Sequence, residues 1–202
     1  LTSDNSVVLF DLQSDAAYKI LLVSDRPFFI QAALGAVGKT NITVKSTEEY
    51  HNDLGYGLYI FDTFMPASMP GDGAIWLINP TSGADDLGFS VQGEMTLAEA
   101  GVLELARQST SMVQQLTRDM TGEKVHVTGY IKCGMYRKFA TLMSYEGNPV
   151  VFAGTTAYGN RLAVFAFDLH NSNIGGIRAG QALTDLPVIL FPAGKRNHCF
   201  PH

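Results

Sequence analysis

The sequence predicts an α/β protein, built on a doubly wound and mostly parallel sheet that antiparallel strands extend in the second half of the chain. Three observations predict this class. Residues 19–24 form a continuous apolar run, which is typical of a parallel strand buried on both faces. Strand-like and helical segments alternate as far as residue 80, as they do in parallel sheets. Beyond residue 120, short strands alternate with turns such as Glu146-Gly147-Asn148, which favours antiparallel pairing.

The composition fits one globular core. The chain has 202 residues, of which 46% are hydrophobic and 16% charged, so disorder, collagen and coiled coil are excluded. Apolar stretches such as residues 188–191 are far shorter than the ~20 residues of a membrane-spanning helix. The first residues also lack the pattern of a signal peptide. We therefore predict one domain that does not itself insert into a membrane.

The net charge is −5 and is unevenly divided along the chain. Residues 1–101 carry 4 basic and 13 acidic side chains, whereas residues 102–202 carry 10 basic and 6 acidic side chains. A nucleic-acid-binding domain normally concentrates Lys and Arg on one face and has a basic total. The acidic total therefore predicts no nucleic-acid partner.

The first half of the chain is predicted to contain four strands and one helix. The helix begins at Pro27, which favours a first helical turn, and it ends at Gly38. A brief helical turn is predicted after Ser46 or Thr47. The predicted strands are residues 19–24, 42–44, 57–61 and 74–78.

The second half is predicted to be largely extended and continuous with the same sheet. Residues 81–88 have the composition of a loop, and residues 100–106 fit either a strand or a helix because the segment is too short to decide the period. Ser109, Thr110 or Ser111 can cap a short helix that ends at Met120. The remaining predicted strands are residues 124–131, 139–145, 150–153 and 161–167.

Polar residues follow several of these strands and form the candidate binding site. In an open α/β sheet, ligands bind outside the carboxyl ends of the strands. The residues at those ends are Asp25, Asp62, Asn79, Asp168 and His170. Converging carboxylates can hold Mg²⁺, which prefers oxygen ligands. The alternative is that these side chains only cap helices and form turns, which Asp and Asn also favour.

The sequence lacks a nucleophile elbow of the Gly-x-Ser/Cys-x-Gly type, a P-loop and a dinucleotide-binding glycine motif. Cys133 follows Lys132, and His126 is near in sequence, so a thiol of lowered pKa would make a hydrolase nucleophile. The alternative is a buried, unreactive thiol. The other cysteine, Cys199, forms no metal-binding pattern with it.

Residues 19–25 with Pro27, and the segment Tyr59-Ile-Phe-Asp62-Thr-Phe-Met65-Pro66, resemble a response-regulator receiver domain. The resemblance covers about a third of the chain. It implies that Asp62 accepts a phosphoryl group and that Asp25 is a magnesium ligand. The sequence departs from the receiver pattern in three places: Ser24 replaces an acid, no helix fits between Asp62 and residue 74, and the strands predicted after residue 120 have no place in a receiver domain.

A second resemblance covers nearly the whole chain. It is carried by Asp4-Asn5, by residues 19–34 and 57–62, by Met69-Pro70 with residues 74–80, and above all by Phe165-Ala-Phe-Asp168-Leu-His170-Asn-Ser172. These segments resemble the domain that follows the von Willebrand type A domain in bacterial membrane-anchored, Bat-like proteins. That domain is similar to class I glutamine amidotransferases, which implies a flavodoxin-like three-layer sandwich. Residues 1–17 would then be a trailing strand or linker from a preceding domain, and residues 18–202 the amidotransferase-like domain.

The second resemblance also implies a domain without catalysis. Amidotransferases need a cysteine at an elbow after a central strand, and Asn79-Pro80-Thr81-Ser82-Gly83 stands there instead. We therefore predict a non-catalytic structural or protein-interaction module of an extracytoplasmic cell-envelope protein, with no cofactor and no resident metal. Its partners would be sister domains or another protein. The alternatives are a divalent-cation or phosphoacceptor site and a hydrolase that uses Cys133.

Exposed aromatic side chains are the candidate contact surface of such a module. Tyr130, Tyr136 and Tyr158 are predicted to be exposed, whereas Trp76 lies between Ile75 and Leu77 on a central strand and is predicted to belong to the core.

Overall fold

The computed structural model describes residues 18–35, 40–105 and 124–173. One α-helix and ten β-strands lie within these ranges, and a single turn of 3₁₀-helix follows them. In chain order they are β1 (Tyr18–Val23), α1 (Phe28–Gly35), β2 (Thr40–Lys45), β3 (Leu58–Asp62), β4 (Ala74–Ile78), β5 (Phe89–Val102), β6 (Glu104–Leu105), β7 (His126–Met135), β8 (Ala140–Tyr145), β9 (Asn148–Thr155), β10 (Arg161–Phe165) and the 3₁₀ turn (Leu169–Asn171).

Eight strands form one sheet in the order β2-β1-β3-β4-β10-β9-β8-β6. The first five strands of this order are parallel to their neighbours, and β9, β8 and β6 extend the sheet by antiparallel pairing. This confirms the predicted α/β class with a mostly parallel sheet that antiparallel strands extend. The remaining strands, β5 and β7, form a separate antiparallel pair, so the prediction that the second half is continuous with the first sheet is wrong for them.

The central strands are buried on both faces, as their uninterrupted apolar sequences require. Every residue of β3 and β4 is buried. One face packs against Ile30 and Leu34 of α1, and Trp76 lies there, 1% exposed and in edge contact with Phe165. This confirms the core position predicted for Trp76. The other face is covered by connecting segments and by part of β5 and β7.

The connections differ from those of a regular doubly wound fold. No helix forms within residues 63–73, all of which are described, although this segment joins two parallel strands. A hydrogen-bonded turn follows β2, where the Ser46 amide donates to the Glu49 carboxylate and the Glu49 amide donates to the Ser46 hydroxyl. That reciprocal pattern of a capping box is the brief helical turn predicted after Ser46.

Several predicted boundaries shift. The segment predicted as strand or helix is extended, since β5 runs to Val102 and β6 follows it. Strand β7 continues to Met135 instead of ending at Ile131, and β10 ends at Phe165 rather than at residue 167. The helix predicted over residues 109–120 and the linker predicted over residues 1–17 lie outside the described residues.

Candidate functional site

The carboxyl edge of the parallel strands brings the predicted site residue Asp62 together with Ser24, which was not predicted to belong to the site. Asp62 is the last residue of β3, and Ser24 directly follows β1, which pairs with β3. The Ser24 hydroxyl donates a hydrogen bond of 2.6 Å to Oδ2 of Asp62, and the Arg26 amide donates to the same hydroxyl at 3.0 Å. Asp62 is 5% exposed and Ser24 is 2% exposed. The carboxylate is therefore held inside the protein by its neighbours.

Asp168 and His170 reach the same edge from the segment after β10. Asp168 accepts a hydrogen bond of 3.0 Å from Nη2 of Arg26 and caps the 3₁₀ turn by accepting from the His170 amide at 2.9 Å. The His170 ring meets Phe29 edge-on, and its buried Nδ1 has no hydrogen-bond partner among the described residues. We call Ser24, Arg26, Asp62, Asp168 and His170 the Asp62 cluster.

Opposing effects act on the Asp62 carboxyl. Burial raises its pKa above the ordinary value of an aspartate. The Ser24 hydrogen bond and the positive charge of Arg26 lower the pKa, but burial is the largest effect. Asp62 is thus more readily protonated than an exposed aspartate.

Asn79 joins the cluster through Thr63. Its side-chain amide donates to the Thr63 hydroxyl at 3.4 Å, and that hydroxyl donates to Oδ1 of Asp62 at 3.3 Å. Thr63 and Asn79 have backbone φ angles of 52° and 48°. A left-handed φ is uncommon outside glycine and strained for a β-branched residue such as threonine, and strain of this kind often accompanies functional sites.

Asp25 does not belong to the cluster. Its carboxylate accepts hydrogen bonds from the Thr47 amide at 3.0 Å and from the Thr47 hydroxyl at 2.9 Å, and these bonds lower its pKa. Asp25 therefore caps the turn after β2, as the alternative interpretation expected. Of the five predicted site residues, four are connected and Asp25 lies apart.

The metal and thiol alternatives receive no support from the described residues. No group of three or more His, Cys, Asp or Glu side chains in residues 18–35, 40–105 and 124–173 is arranged to hold a metal ion. Cys133 is 8% exposed, and burial raises its pKa to about 12. The shift is opposite to the lowered pKa that a thiolate nucleophile requires.

A cleft of about 650 Å³ opens near the other edge of the sheet, at the amino-terminal ends of β4 and β10. Three connecting segments contribute residues 65–71, 82–84 with 86–87, and 156, 158 and 160 to its lining, and Ile75 of β4 also lines it. We call it the Tyr158 cleft, after the side chain at its rim that is 80% exposed. Such a volume lies within the range of small-ligand sites.

Backbone-directed hydrogen bonds hold the three segments of the cleft together. The Asn160 side-chain amide donates to the carbonyls of Gly71 and Gly73 at 3.2 and 3.0 Å. The Ala157 amide donates to the Asp86 carbonyl at 2.7 Å, which places Asp86 beside the turn that carries Tyr158. The cleft was not predicted from the sequence. Its signals were the exposed Tyr158, which is confirmed, and the paired Met-Pro motifs of residues 65–70.

The other candidate contact residues divide between surface and core. Tyr136 is 64% exposed, as predicted, whereas Tyr130 is 5% exposed and packs beside Tyr145. The prediction of an exposed Tyr130 is wrong, because β7 turns this side chain into the core on the α1 face of the sheet.

No protein-family model and no curated protein matches this chain. Cytoplasmic Protein STM1381 from Salmonella typhimurium LT2 is similar in structure, with a TM-score of 0.61, 13% identity, and 85% of this chain and 98% of that chain covered. Cytoplasmic Protein STM3548 from Salmonella typhimurium has a TM-score of 0.60, 10% identity and coverages of 85% and 96%. The carbohydrate deacetylase Agd3 has a TM-score of 0.56 at 10% identity, over 83% of this chain and 32% of its own.

These likenesses show the fold and leave both family resemblances as predictions. Both Salmonella proteins are described as cytoplasmic, and this contradicts the predicted extracytoplasmic location in the cell envelope, which we withdraw. Within the described ranges, no helix has the length and apolar character needed to span a bilayer.

Proposed function

We propose that this chain is a non-catalytic protein-interaction module that holds a segment of a partner protein in the Tyr158 cleft. The α/β sheet, with the flavodoxin-like three-layer arrangement as part of this proposal, is the rigid frame. The observation that supports this proposal most is that the candidate catalytic residues and the open cleft lie in different places. Asp62 and Asp168, the acidic candidates for catalysis, are hydrogen-bonded to neighbouring side chains at the carboxyl edge, whereas the open volume lies near the amino edge.

The chemistry of the cleft lining also supports binding. Among the described residues that line it there is no Cys, His, Lys or Arg, so its Ser and Thr hydroxyls have no imidazole or amine base beside them. Met65 and Met69 are flexible apolar side chains of the kind that adapt to a bound partner. An aromatic rim and a methionine-containing wall are common features of recognition surfaces.

The burial of Asp62 argues against the phosphoacceptor alternative. An aspartate that attacks a phosphodonor must present a free carboxylate oxygen to solvent, because the phosphoryl group bonds to that oxygen. In this structure Oδ2 accepts from Ser24, Oδ1 accepts from Thr63, and the residue is 5% exposed.

A peptide-selection experiment tests the proposal. The immobilised chain is presented with a displayed library of random peptides, and the affinities of enriched peptides are measured by calorimetry. We expect Tyr158→Ala to weaken them at least about fivefold, since aromatic anchors carry much of the energy of an interface. Tyr136→Ala, which removes a tyrosine of similar exposure outside the cleft, is the matched control and should change affinity less than twofold, or about 0.4 kcal/mol.

A parallel measurement asks whether the chain catalyses or accepts group transfer. The wild type is incubated with acetyl phosphate and Mg²⁺ and examined by intact-mass spectrometry. We expect no mass gain. A phosphorylated species that disappears in Asp62→Asn would overturn the non-catalytic part of the proposal. Peptides whose affinity depends on Asp62 and not on Tyr158 would overturn the Tyr158 cleft as the binding site.

A further inference from the structure

The Tyr158 cleft carries a single charge. Among the described lining residues, Asp86 is the only charged side chain, and it forms no ion pair within the described part of the chain. An anionic ligand would meet this carboxylate without a compensating cation. The occupant that complements the cleft is therefore positively charged.

Tyr158 and Asp86 stand on the same rim. The Ala157 amide donates to the Asp86 carbonyl, so the backbone that carries Tyr158 begins one residue from this contact, and both residues line the cleft. A cation at this rim can meet the face of an exposed aromatic ring and a carboxylate together, and both attract it. Leu87 fixes the carboxylate by donating its amide to Oδ1 of Asp86 at 3.0 Å.

The arrangement distinguishes between cationic side chains. Oδ1 of Asp86 already accepts from the Leu87 amide, so Oδ2 is the oxygen that has no hydrogen-bond partner among the described residues. Arginine recognition favours two parallel hydrogen bonds to a carboxylate, whereas lysine acts as a point charge on a flexible stem. One free oxygen, an aromatic face and a wall with Met65 and Met69 suit a lysine ammonium and its four methylenes.

We propose that the Tyr158 cleft binds a lysine side chain presented by an extended segment of a partner protein, with the ammonium between Asp86 and Tyr158. This inference rests on the proposed interaction function and specifies the ligand. The volume of about 650 Å³ exceeds that of one lysine side chain, so the residues that flank the lysine also fit. A protein segment therefore matches the cleft better than a free alkylamine.

Methionine methyl signals provide a direct readout. The chain has seven methionines, and in ¹³C-methyl-labelled protein the signals of Met65 and Met69 are assigned by their absence from Met65→Leu and Met69→Leu samples. Four probes are titrated: the capped tripeptide Ala-Lys-Ala, the same peptide with norleucine or with arginine in place of lysine, and n-butylammonium. We expect the lysine peptide to shift both signals and to bind about tenfold tighter than the uncharged norleucine peptide.

Variants test whether the Asp86 carboxylate and the Tyr158 ring contribute to binding. Asp86→Asn keeps an oxygen for the Leu87 amide and removes the charge, so it should erase the tenfold preference for lysine over norleucine. Its matched control is Asp85→Asn, an exposed neighbour that does not line the cleft and should change affinity by less than about twofold because solvent screens it. Tyr158→Ala should weaken binding about threefold, whereas Tyr158→Phe should retain it.

Each other outcome overturns the inference in a recognisable way. Equal binding of the lysine and norleucine peptides would mean an apolar cleft without charge recognition, and the interaction function would still stand. Tighter binding of arginine, or of n-butylammonium over the lysine peptide, would refute the chosen ligand. If no probe moves Met65 or Met69 while library peptides bind elsewhere, both the ligand and the proposed site of interaction are wrong. Amide spectra of each variant test whether it is folded. Once the two methionine signals are assigned, the affinities of the four probes are compared on the wild type alone.

Discussion

The two edges of the parallel sheet differ in how their polar groups are used. At the carboxyl edge, Asp62 and Asp168 accept hydrogen bonds from Ser24 and Arg26, and Asp62 is almost wholly buried. Near the amino edge, Asp86 and Tyr158 face a cleft of about 650 Å³ and have no charged partner among the described residues. At the carboxyl edge the two aspartates are held by neighbouring side chains, whereas the other edge is open to a ligand.

This difference qualifies the general rule for α/β sheets. Ligands usually bind beyond the carboxyl ends of the strands, because connecting loops diverge there and leave a crevice. Here the β3–β4 connection contains no helix in residues 63–73, and its methionine-proline segment instead lies over the sheet and forms a wall of the cleft. A crossover that lacks a helix can thus move the open surface toward the other edge.

The contrast between a closed carboxyl edge and an open amino edge would lose its meaning if the reactive group of the protein belonged to neither. Cys133 is the candidate for such a group, and its test has the largest expected effect. Burial raises the pKa of this thiol to about 12, compared with 9.0 without burial. At neutral pH its thiolate fraction, and hence its rate of alkylation, should be about a thousandfold below that of an ordinary thiol. The measurement is labelling by iodoacetamide at pH 7, with the labelled residue identified by peptide mass spectrometry.

Labelling in urea is the control, because unfolding exposes the same thiol. Cys133→Ser removes the signal and identifies its source. Rapid selective modification of Cys133 in the folded protein would restore the hydrolase hypothesis.

The next largest effect is a loss of stability on substitution of Gly73, whose carbonyl accepts a hydrogen bond from Asn160 in the cleft lining. Gly73 has φ of +72°, and a Cβ atom there would lie 2.5 Å from the Tyr56 carbonyl oxygen. Gly73→Ala therefore combines an unfavourable φ with a backbone clash, and we expect a loss of about 3 kcal/mol in the free energy of unfolding. Urea unfolding followed by circular dichroism measures it.

Gly159 supplies the matched control. It has a similar φ of +86°, but nothing lies within 4 Å of the position that a Cβ atom would take, so only the backbone strain acts. Gly159→Ala should cost about 1 kcal/mol. Equal losses for the two variants would mean that the close approach at Gly73 does not hold the wall in place.

The buried strands of the fold were predictable because burial on both faces leaves a direct pattern in the sequence. Residues 19–24, 57–61 and 74–78 are continuous apolar runs, and the strands form there. Strand β5 was not predicted at its length, since most of it is exposed and irregular pairing near Gly93 and Gly101 interrupts any alternation. A segment without a periodic apolar pattern carries no strand signal.

The candidate sites show the same limit. Asp62, Asp168 and His170 lie at one edge of the sheet, where parallel strands place their carboxyl ends, and their use as a binding site stays a prediction. Asp25 was misplaced, since it turns to Thr47 while the adjacent Ser24 turns to Asp62. The Tyr158 cleft depends on contacts between residues far apart in the chain, such as Asn160 with Gly71, and no local pattern encodes them.

The smallest expected effect is a pH-dependent difference in stability between the wild type and variants of two aspartates at the carboxyl edge, Asp62 and Asp25. Burial raises the pKa of Asp62 above the value of 3.8 expected in the unfolded chain, so the folded state binds its proton more tightly. This contribution to stability is present at low pH and is lost as pH rises from about 3.8 through the folded pKa. Asp62→Asn, which has no such titration, should gain stability relative to the wild type over that window, by about 1 kcal/mol.

Asp25→Asn should show the opposite trend. Hydrogen bonds from Thr47 lower the pKa of Asp25, so the carboxylate stabilises the folded state above pH 3.8, and this stabilisation is lost as pH falls below it. The asparagine variant should therefore be less stable than the wild type at pH 7, and the gap should close in acid. Urea unfolding between pH 3 and 7 measures both differences. If the stability differences of Asp62→Asn and Asp25→Asn from the wild type change with pH in the same direction, the Asp62 carboxyl is not held in a desolvated site. The contrast between a closed and an open edge would then lose its electrostatic basis.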